Sequence, residues 1–434
     1  MRFDEALEYI HNTLKFGMKM GLENVSYLLR LLGNPHKRLR CIHIAGTNGK
    51  GSVAAMTSSI LSEAGYKVGL FISPYLEDFC ERIQINGVPI SKNDVARITE
   101  LIKTKVDQMI SESHSHPTEF EIVTAIGMYY FAEQNVDYAV IEVGLGGRLD
   151  ATNVIDPLIS VITSVDYDHK EILGDTLSQI AYEKAGIIKK GRPVIVYPQQ
   201  QEAMNVIRQV CLERNSPLIE VSNDDVMLVN DSLDGQYFDY HKGQCNFDSL
   251  FIPLLGNHQL LNAATSIAAV ITLREYYYIN ISDKAIRSGL SKTKWPGRLE
   301  LVHRMPYVLL DGAHNPQGAH SLAIALNHYF PNKRIIMVLG ILKDKEIEKI
   351  LSELIPLASY IIMTKPDSPR AASPDELLSI AKEKNVDNIA IEDIKQAVQT
   401  ALSMANADDV VVISGSLYLV GKARTYLKEV YNFK

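Results

Sequence analysis

With 434 residues, 46% of them hydrophobic and 22% charged, the chain has the composition of an ordinary globular protein and more length than one hydrophobic core needs, so two domains are expected. Its net charge of −7 argues against a nucleic-acid partner, which needs a basic face, but leaves room for small anions held by a local cluster of lysines and backbone N–H groups. No run reaches the length of a membrane span, MRFDEALEYIHNTL at the N-terminus is amphipathic with no apolar signal core, and Cys41, Cys80, Cys211 and Cys245 form no CxxC pair. A cytoplasmic protein with reduced thiols and no membrane association is expected.

Residues 1–32 carry apolar positions at helical spacing. An apolar run at Arg40–Ala45 leads into a Gly-rich turn, a helix over Ser52–Ala64 and a buried strand at Lys67–Ile72, which is a βαβ unit. Helices follow around Asn93–Ile110 and Glu119–Glu133. The continuous apolar runs Tyr138–Gly144 and Leu158–Val165 read as strands buried on both faces of a parallel sheet. Then come a helix over Asp175–Lys189, a strand in PVIVY, a small antiparallel patch between about Val226 and Phe251, and a long helix over Asn257–Tyr277. Composition shifts at KWPGR, Lys294–Arg298, which sets domains at 1–295 and 296–434. The second domain alternates strands at Val308–Asp311, Ile335–Leu339, 359–363 and 410–414 with helices near Gly318–Tyr329, 345–356 and 374–383 and a final helix, the pattern of a smaller α/β domain.

The turn between the first strand and helix reads CIHIAGTNGKGSV. A standard phosphate loop has four residues between its glycines and Ser or Thr directly after its Lys; here only two separate Gly46 from Gly49, Ile44 stands at the first glycine position, and Gly51 intervenes between Lys50 and Ser52. Gly46, Gly49 and Gly51 still let successive N–H groups converge on an anion at a helix N-terminus, with Lys50 reaching phosphate oxygens and Ser52 a Mg²⁺ ion. The competing reading is a plain βα turn with a solvated lysine.

Further on, IEVGLGGRLDATN ends a strand with Glu142, a natural Mg²⁺ ligand if it faces phosphates and otherwise a solvated acid; Arg148 and Asp150 are candidate substrate contacts. His169 in DYDHKEILGDT reads either as an imidazole ligand of a second Mg²⁺ or as a hydrogen-bonded loop residue. Lys184 in IAYEKAGIIKK is a surface lysine or, if desolvated, an amine able to take up CO₂ as a carbamate. Ser73 before Pro74 reads first as an N-cap and second as a member of the Mg²⁺ shell. Asp311 and His314 in LLDGAHNPQG sit between a strand end and a helix start, Asn257 and His258 open a helix, and Arg298 lies in the interdomain segment.

Taken together, HIAGTNGKGSV, ISPYLEDFCERIQING, EVGLGGRLDATN, DHKEILGDTLSQIAYEKAGIIK, GNHQLLNAA, WPGRLE, DGAHNP and ISGSLYLVG resemble, in order from residue 43 to 421, the folylpolyglutamate synthase/dihydrofolate synthase family of the Mur ligase superfamily. The resemblance implies a Mur-ligase-like P-loop ATPase domain with a mostly parallel sheet, then a Rossmann-like C-terminal domain with the active site in the cleft between the two. It implies ATP-dependent activation of a folate or dihydropteroate carboxylate as an acyl phosphate, taken by the amino group of L-glutamate, in a protein that is usually a monomer. By position it assigns Gly46, Thr47, Asn48, Gly49, Lys50, Gly51, Ser52, Asn257, Arg298, Asp311 and His314 to ATP, and Ser52, Ser73, Glu142 and His169 to two Mg²⁺ ions. Lys50, Glu142, His169 and a carbamylated Lys184 become the catalytic set, with Arg82, Arg148 and Asp150 toward the substrate. A departure lies in GILKDKEIEKI, where Lys345 follows Asp344 and the family often shows DKD, so Asp344 is given no role. A Mur-type ligase acting on another carboxylate and a non-catalytic nucleotide-binding regulator are the competing expectations.

Overall fold

The computed structural model describes residues 1–17, 21–382 and 386–433; parts of the expected helices at 1–32 and 374–383 lie outside the described residues. The chain divides into two compact units. One comprises Met1–Val226, Tyr240–Leu250 and Leu261–Thr293, the other Met227–Asp239, Phe251–Leu260 and Lys294–Lys434. No helix among the described residues is long and apolar enough to cross a membrane.

The first unit is built on an eight-stranded sheet of β1 (Cys41–Ala45), β2 (Val68–Phe71), β3 (Ile83–Ile85), β4 (Val88–Pro89), β5 (Tyr138–Glu142), β6 (Ile159–Ile162), β7 (Val194–Val196) and β8 (Leu218–Glu220), in the order β4-β3-β2-β5-β1-β6-β7-β8. From β2 to β8 all pairs are parallel. Every residue of β1, β5 and β6 is buried, which is why these strands read as unbroken apolar runs. Register sets Ile44 beside both Glu142 and Val161, so β1, β5 and β6 end together at the carboxyl edge, where open α/β sheets hold their ligands. Helices cover the sheet. Glu119–Glu133 is buried along most of its length, and Ile122, Ile126 and Phe131 join Leu28, Val95 and Ile102 in the core.

The sequence reading missed the antiparallel extension β3-β4. Its turn is Asn86-Gly87, with φ of 48° and 76°, the Asn-Gly pair that two-residue hairpins favour. It also missed the helix Gln201–Glu213, whose buried Ala203, Met204, Ile207, Val210 and Cys211 follow helical spacing, and the three-residue strand β8. The helix expected over Asp175–Lys189 is shorter, Leu177–Ala185, because Thr176 and Gln179 form a capping box that fixes its start. Between Val226 and Ile252 lies the expected small patch, a three-stranded sheet of β9 (Val226–Ser232), β10 (Gly235–Lys242) and β11 (Cys245–Ile252), with β10 in the middle.

In the second unit, six strands, β12 (Glu300–Arg304), β13 (Tyr307–Asp311), β14 (Ile335–Leu339), β15 (Tyr360–Met363), β16 (Asn388–Ala390) and β17 (Val410–Ser414), are ordered β12-β13-β17-β14-β15-β16. All pairs are parallel except β12 with β13. Leu309, Met337, Val412 and Ile361 form the core with Leu322 and Leu326 of the helix Pro316–Tyr329 and Leu351 of Ile347–Leu354. Asp311 and Leu339 both pair with Ser414, so three strand ends meet at one edge. The edge strands β12 and β16 and the helix Ile394–Met404 were not anticipated.

Candidate active site

The Gly-rich turn leaves β1 and enters the helix Lys50–Glu63. Gly46 has φ 156°, and a Cβ there would lie 1.8 Å from Thr163 Oγ1; Gly49 has φ 85°, and a Cβ there would lie 2.6 Å from Asn262 Oδ1. Neither position has space for a side chain. The loop is tied to the segment after β6: Thr47 N–H donates to Ser164 O (2.6 Å), Thr47 Oγ1 to Asp166 O (3.0 Å), and Thr163 Oγ1 to Asn48 O (2.7 Å). These bonds pin the loop to that segment and engage the Asn48 carbonyl, and the first turn of the helix at Lys50, Gly51 and Ser52 has no preceding helical carbonyl to take its N–H groups. That is the geometry of an anion site.

Two lysines converge on the loop's first carbonyl. Lys50 Nζ donates to Gly46 O (3.1 Å) and Thr47 O (3.2 Å), and Lys184 Nζ donates to the same Gly46 O at 2.9 Å. Lys184 is therefore no surface lysine: it is 3% exposed. Burial, reinforced by the Lys50 charge and opposed by Asp168, pushes its amine down to about 7. Much of it is thus neutral near physiological pH, the form that reacts with CO₂.

Glu142 is buried at the end of β5, and its Oε2 accepts the Ser73 N–H at 3.2 Å. Ser73 caps no helix; the next helical turn, Phe79–Arg82, is capped by Asp78 through Cys80 N–H. The expected cap is thus corrected, and Ser73 stands beside the strand-end carboxylate instead. His169 occupies a left-handed conformation (φ 48°) ahead of the short helix Lys170–Leu173, and its N–H donates to Asp168 Oδ1 at 2.9 Å. The structure thus brings Ser73 and Glu142 together, and a buried carboxylate beside a serine offers oxygen donors of the kind a hard divalent cation takes.

Of the three substrate candidates, Arg148 is bound to the Lys184 helix through Glu183 Oε1 (2.8 and 3.1 Å), and its backbone N–H donates to Glu183 O (2.7 Å). This pair raises the guanidinium further above its usual range. Asp150 is 7% exposed, with Oδ2 accepting Leu145 N–H (2.9 Å) and Oδ1 accepting Thr152 N–H (3.0 Å) and the Thr152 hydroxyl. Burial raises its pKa against these donors. Any ligand meeting Asp150 meets a carboxylate already fixed in direction. Arg82 ends the turn Phe79–Arg82 and lies over the rings of Tyr75 and Phe79.

Within the second unit, Asp311 ends β13, accepting Leu299 N–H (2.8 Å) and Ala313 N–H (2.9 Å); burial raises its pKa and neighbouring Arg298 opposes this. Arg298 Nη1 donates to Gly312 O (3.3 Å), and His314 Nδ1 lies 2.8 Å from the same carbonyl. Asp311, Arg298 and His314 thus surround Gly312. The helix beside them starts at Pro316 with Asn315 as its cap. Asn257 is exposed just before the helix His258–Tyr277; half-buried His258 is pushed down to about 4 by desolvation and Arg298.

Sequence reasoning missed three residues that shape the loop, Thr163, Asp166 and Asn262, and Asp168, whose charge acts on Lys184. Asp168 adjoins the candidate ligand His169, which was an available signal; Asp166 meets Thr47 through its backbone, so its side chain gave none. Thr163 and Asn262 left none, since their role is contact with glycines distant in sequence.

The chain is similar to known proteins over nearly its whole length. The Mur ligase middle domain matches residues 44–270, and the Mur ligase glutamate ligase domain matches residues 297–417. The dihydrofolate synthase/folylpolyglutamate synthase of Bacillus subtilis is 41% identical over 428 residues, covering 98% of this chain and 99% of that one. The crystal structure of folylpolyglutamate synthase from Thermotoga maritima superposes with a TM-score of 0.86 at 40% identity, covering 98% and 96% of the two chains. Escherichia coli FolC in complex with DHPP and ADP superposes with a TM-score of 0.88 at 30% identity, covering 99% and 98%. Two Mur ligase domain matches that together span most of the chain, and relatives aligned over nearly its whole length, place this protein in the dihydrofolate synthase/folylpolyglutamate synthase family of Mur ligases.

Proposed function

We propose that this ATP-dependent ligase adds L-glutamate both to dihydropteroate and to reduced folates, activating the acceptor carboxylate as an acyl phosphate. The observation that carries the nucleotide half of this reading is the convergence of Lys50, Lys184 and the helix N-terminus on one loop. A carboxylate is too poor an electrophile for an amine at neutral pH, and phosphorylation supplies the leaving group. Lys50 and the loop N–H groups would take up the charge of the transferring phosphoryl group. Ser52, Ser73, Glu142 and His169 would hold Mg²⁺, which when bound neutralises phosphate charge. Asn257, Arg298, Asp311 and His314 would contribute to the nucleotide. Arg82, Arg148 and Asp150 would face the acceptor, and the FolC complex with DHPP favours including dihydropteroate among acceptors. The protein would act as a cytoplasmic monomer.

The purified protein, given ATP, Mg²⁺ and labelled glutamate, is expected to label both dihydropteroate and tetrahydrofolate. Labelling of tetrahydrofolate alone would remove the first activity. Bound ATP with no glutamate incorporated into either acceptor would favour a regulator.

A further inference from the structure

His43 lies in the middle of the central strand β1 and is fully buried. A buried imidazole costs stability unless its nitrogens are satisfied, yet Nδ1 has no hydrogen-bond partner among the described residues. Its other nitrogen, Nε2, is 2.9 Å from Thr152 Oγ1. The single proton of that hydroxyl is donated to Asp150 Oδ1. The Thr152 oxygen must therefore accept, so His43 carries its proton on Nε2. Burial pushes the imidazole down to about 3, which keeps it neutral at physiological pH.

We infer that His43 and Thr152 are positioning residues for acceptor recognition: the directional chain His43 Nε2–H to Thr152 Oγ1–H to Asp150 Oδ1 holds the Asp150 carboxylate in the one rotamer that meets the acceptor. This rests on the reading of Asp150 as an acceptor contact. Asp150 bridges two stretches, accepting from Leu145 on one oxygen and from Thr152 on the other, so its direction also sets the path of the GLGGRLD loop. Without the hydroxyl the carboxylate would rest on backbone N–H groups of the loop alone, so its direction would follow any movement of the loop. The hydroxyl, itself oriented by an imidazole that has no other hydrogen-bond partner among the described residues, ties the carboxylate to the core strand β1 as well. The unsatisfied Nδ1 is then the stability cost of a fixed donor in the core.

The test uses steady-state kinetics of the full chain with dihydropteroate, in parallel for Thr152→Val, Thr152→Ser and Asp150→Asn. Loss of one hydrogen bond to a charged group is worth roughly tenfold or more. Thr152→Val is expected to raise the acceptor KM roughly tenfold, with kcat changed less than about threefold and the KM for ATP unchanged; Thr152→Ser restores the wild-type value. An acceptor KM left unchanged by Thr152→Val but raised by Asp150→Asn would overturn the chain while sparing Asp150. An acceptor KM indifferent to Asp150→Asn would overturn the reading of Asp150, and the inference with it. A rise in the KM for ATP matching that for the acceptor would mean general loop damage and would equally overturn it. Should Thr152→Val not fold, His43→Leu against His43→Gln, which keeps a donor at the same reach, reads the same link from its other end.

Discussion

Lys184→Met is expected to lower turnover by about 10²–10³-fold, the loss seen when one preorganised charged partner leaves a dry site. The Nζ of Lys184 is buried against Gly46 O, and its neighbours pull it in opposite directions: Lys50 favours the neutral amine and Asp168 the charged one. A neutral amine adds CO₂ and releases a proton, turning a cation into an anionic carbamate. Activity is therefore expected to fall as pH drops through about 7, and the fall should be steeper in CO₂-depleted buffer than with added bicarbonate. Stability responds in the same window. Between about 7 and the ordinary lysine value the unfolded chain binds more protons than the folded one, so the burial cost is full below 7 and is relieved as pH rises. In CO₂-free buffer, Lys184→Met should gain most over wild type in its urea midpoint below pH 7 and lose that advantage toward pH 10. A midpoint difference independent of pH, with turnover indifferent to bicarbonate, would leave Lys184 as packing.

Gly46→Ala is expected to weaken ATP binding about 10²-fold or more and to reduce stability, since the new methyl would lie 1.8 Å from Thr163 Oγ1 in a backbone conformation with φ 156°. The crowding atoms include the Thr163 Cβ and backbone carbon, and its hydroxyl is bonded to Asn48 O, so the loop, not the methyl, has to move. The companion substitution Thr163→Ala opens that space and should recover part of the ATP affinity, though Thr163 Cβ is itself 3.0 Å from the same point. Equilibrium titration with ATP and thermal melting read both effects. Full affinity in the single Gly46→Ala variant would show that the loop geometry is not what binds phosphate.

Much of the fold was legible because buried parallel strands advertise themselves as apolar runs: β1, β5, β6, β14 and β17 fall where Arg40–Ala45, Tyr138–Gly144, Leu158–Val165, Ile335–Leu339 and 410–414 were read. The strands that escaped lie at or next to sheet edges. Residues of β8 and β16 are intermediate or exposed, three residues long, and lack the apolar contrast that makes a strand readable. The Asn86-Gly87 turn was a readable hairpin signal and was passed over. At the site, strand ends placed Glu142 and Asp311, and loop glycines placed Lys50. Ser73 was misread as a cap because the sequence shows only that it follows a strand and precedes a proline; that its N–H meets Glu142 depends on β2 lying beside β5. Lys184 looked like any helical lysine, since its burial comes from Gly46, 138 residues away. The pairing of His43 with Thr152 was hidden for the same reason, spanning 109 residues.

The most direct measurement follows an oxygen atom. The acceptor is labelled with ¹⁸O in its reacting carboxylate, and the phosphate released during glutamate addition is analysed by mass. One ¹⁸O in each inorganic phosphate, with ADP unlabelled, is the expected result, because an acyl phosphate carries the carboxylate oxygen away with the phosphoryl group. Product formed with unlabelled phosphate, or with ¹⁸O found in AMP, would contradict the acyl-phosphate reaction assigned to this chain.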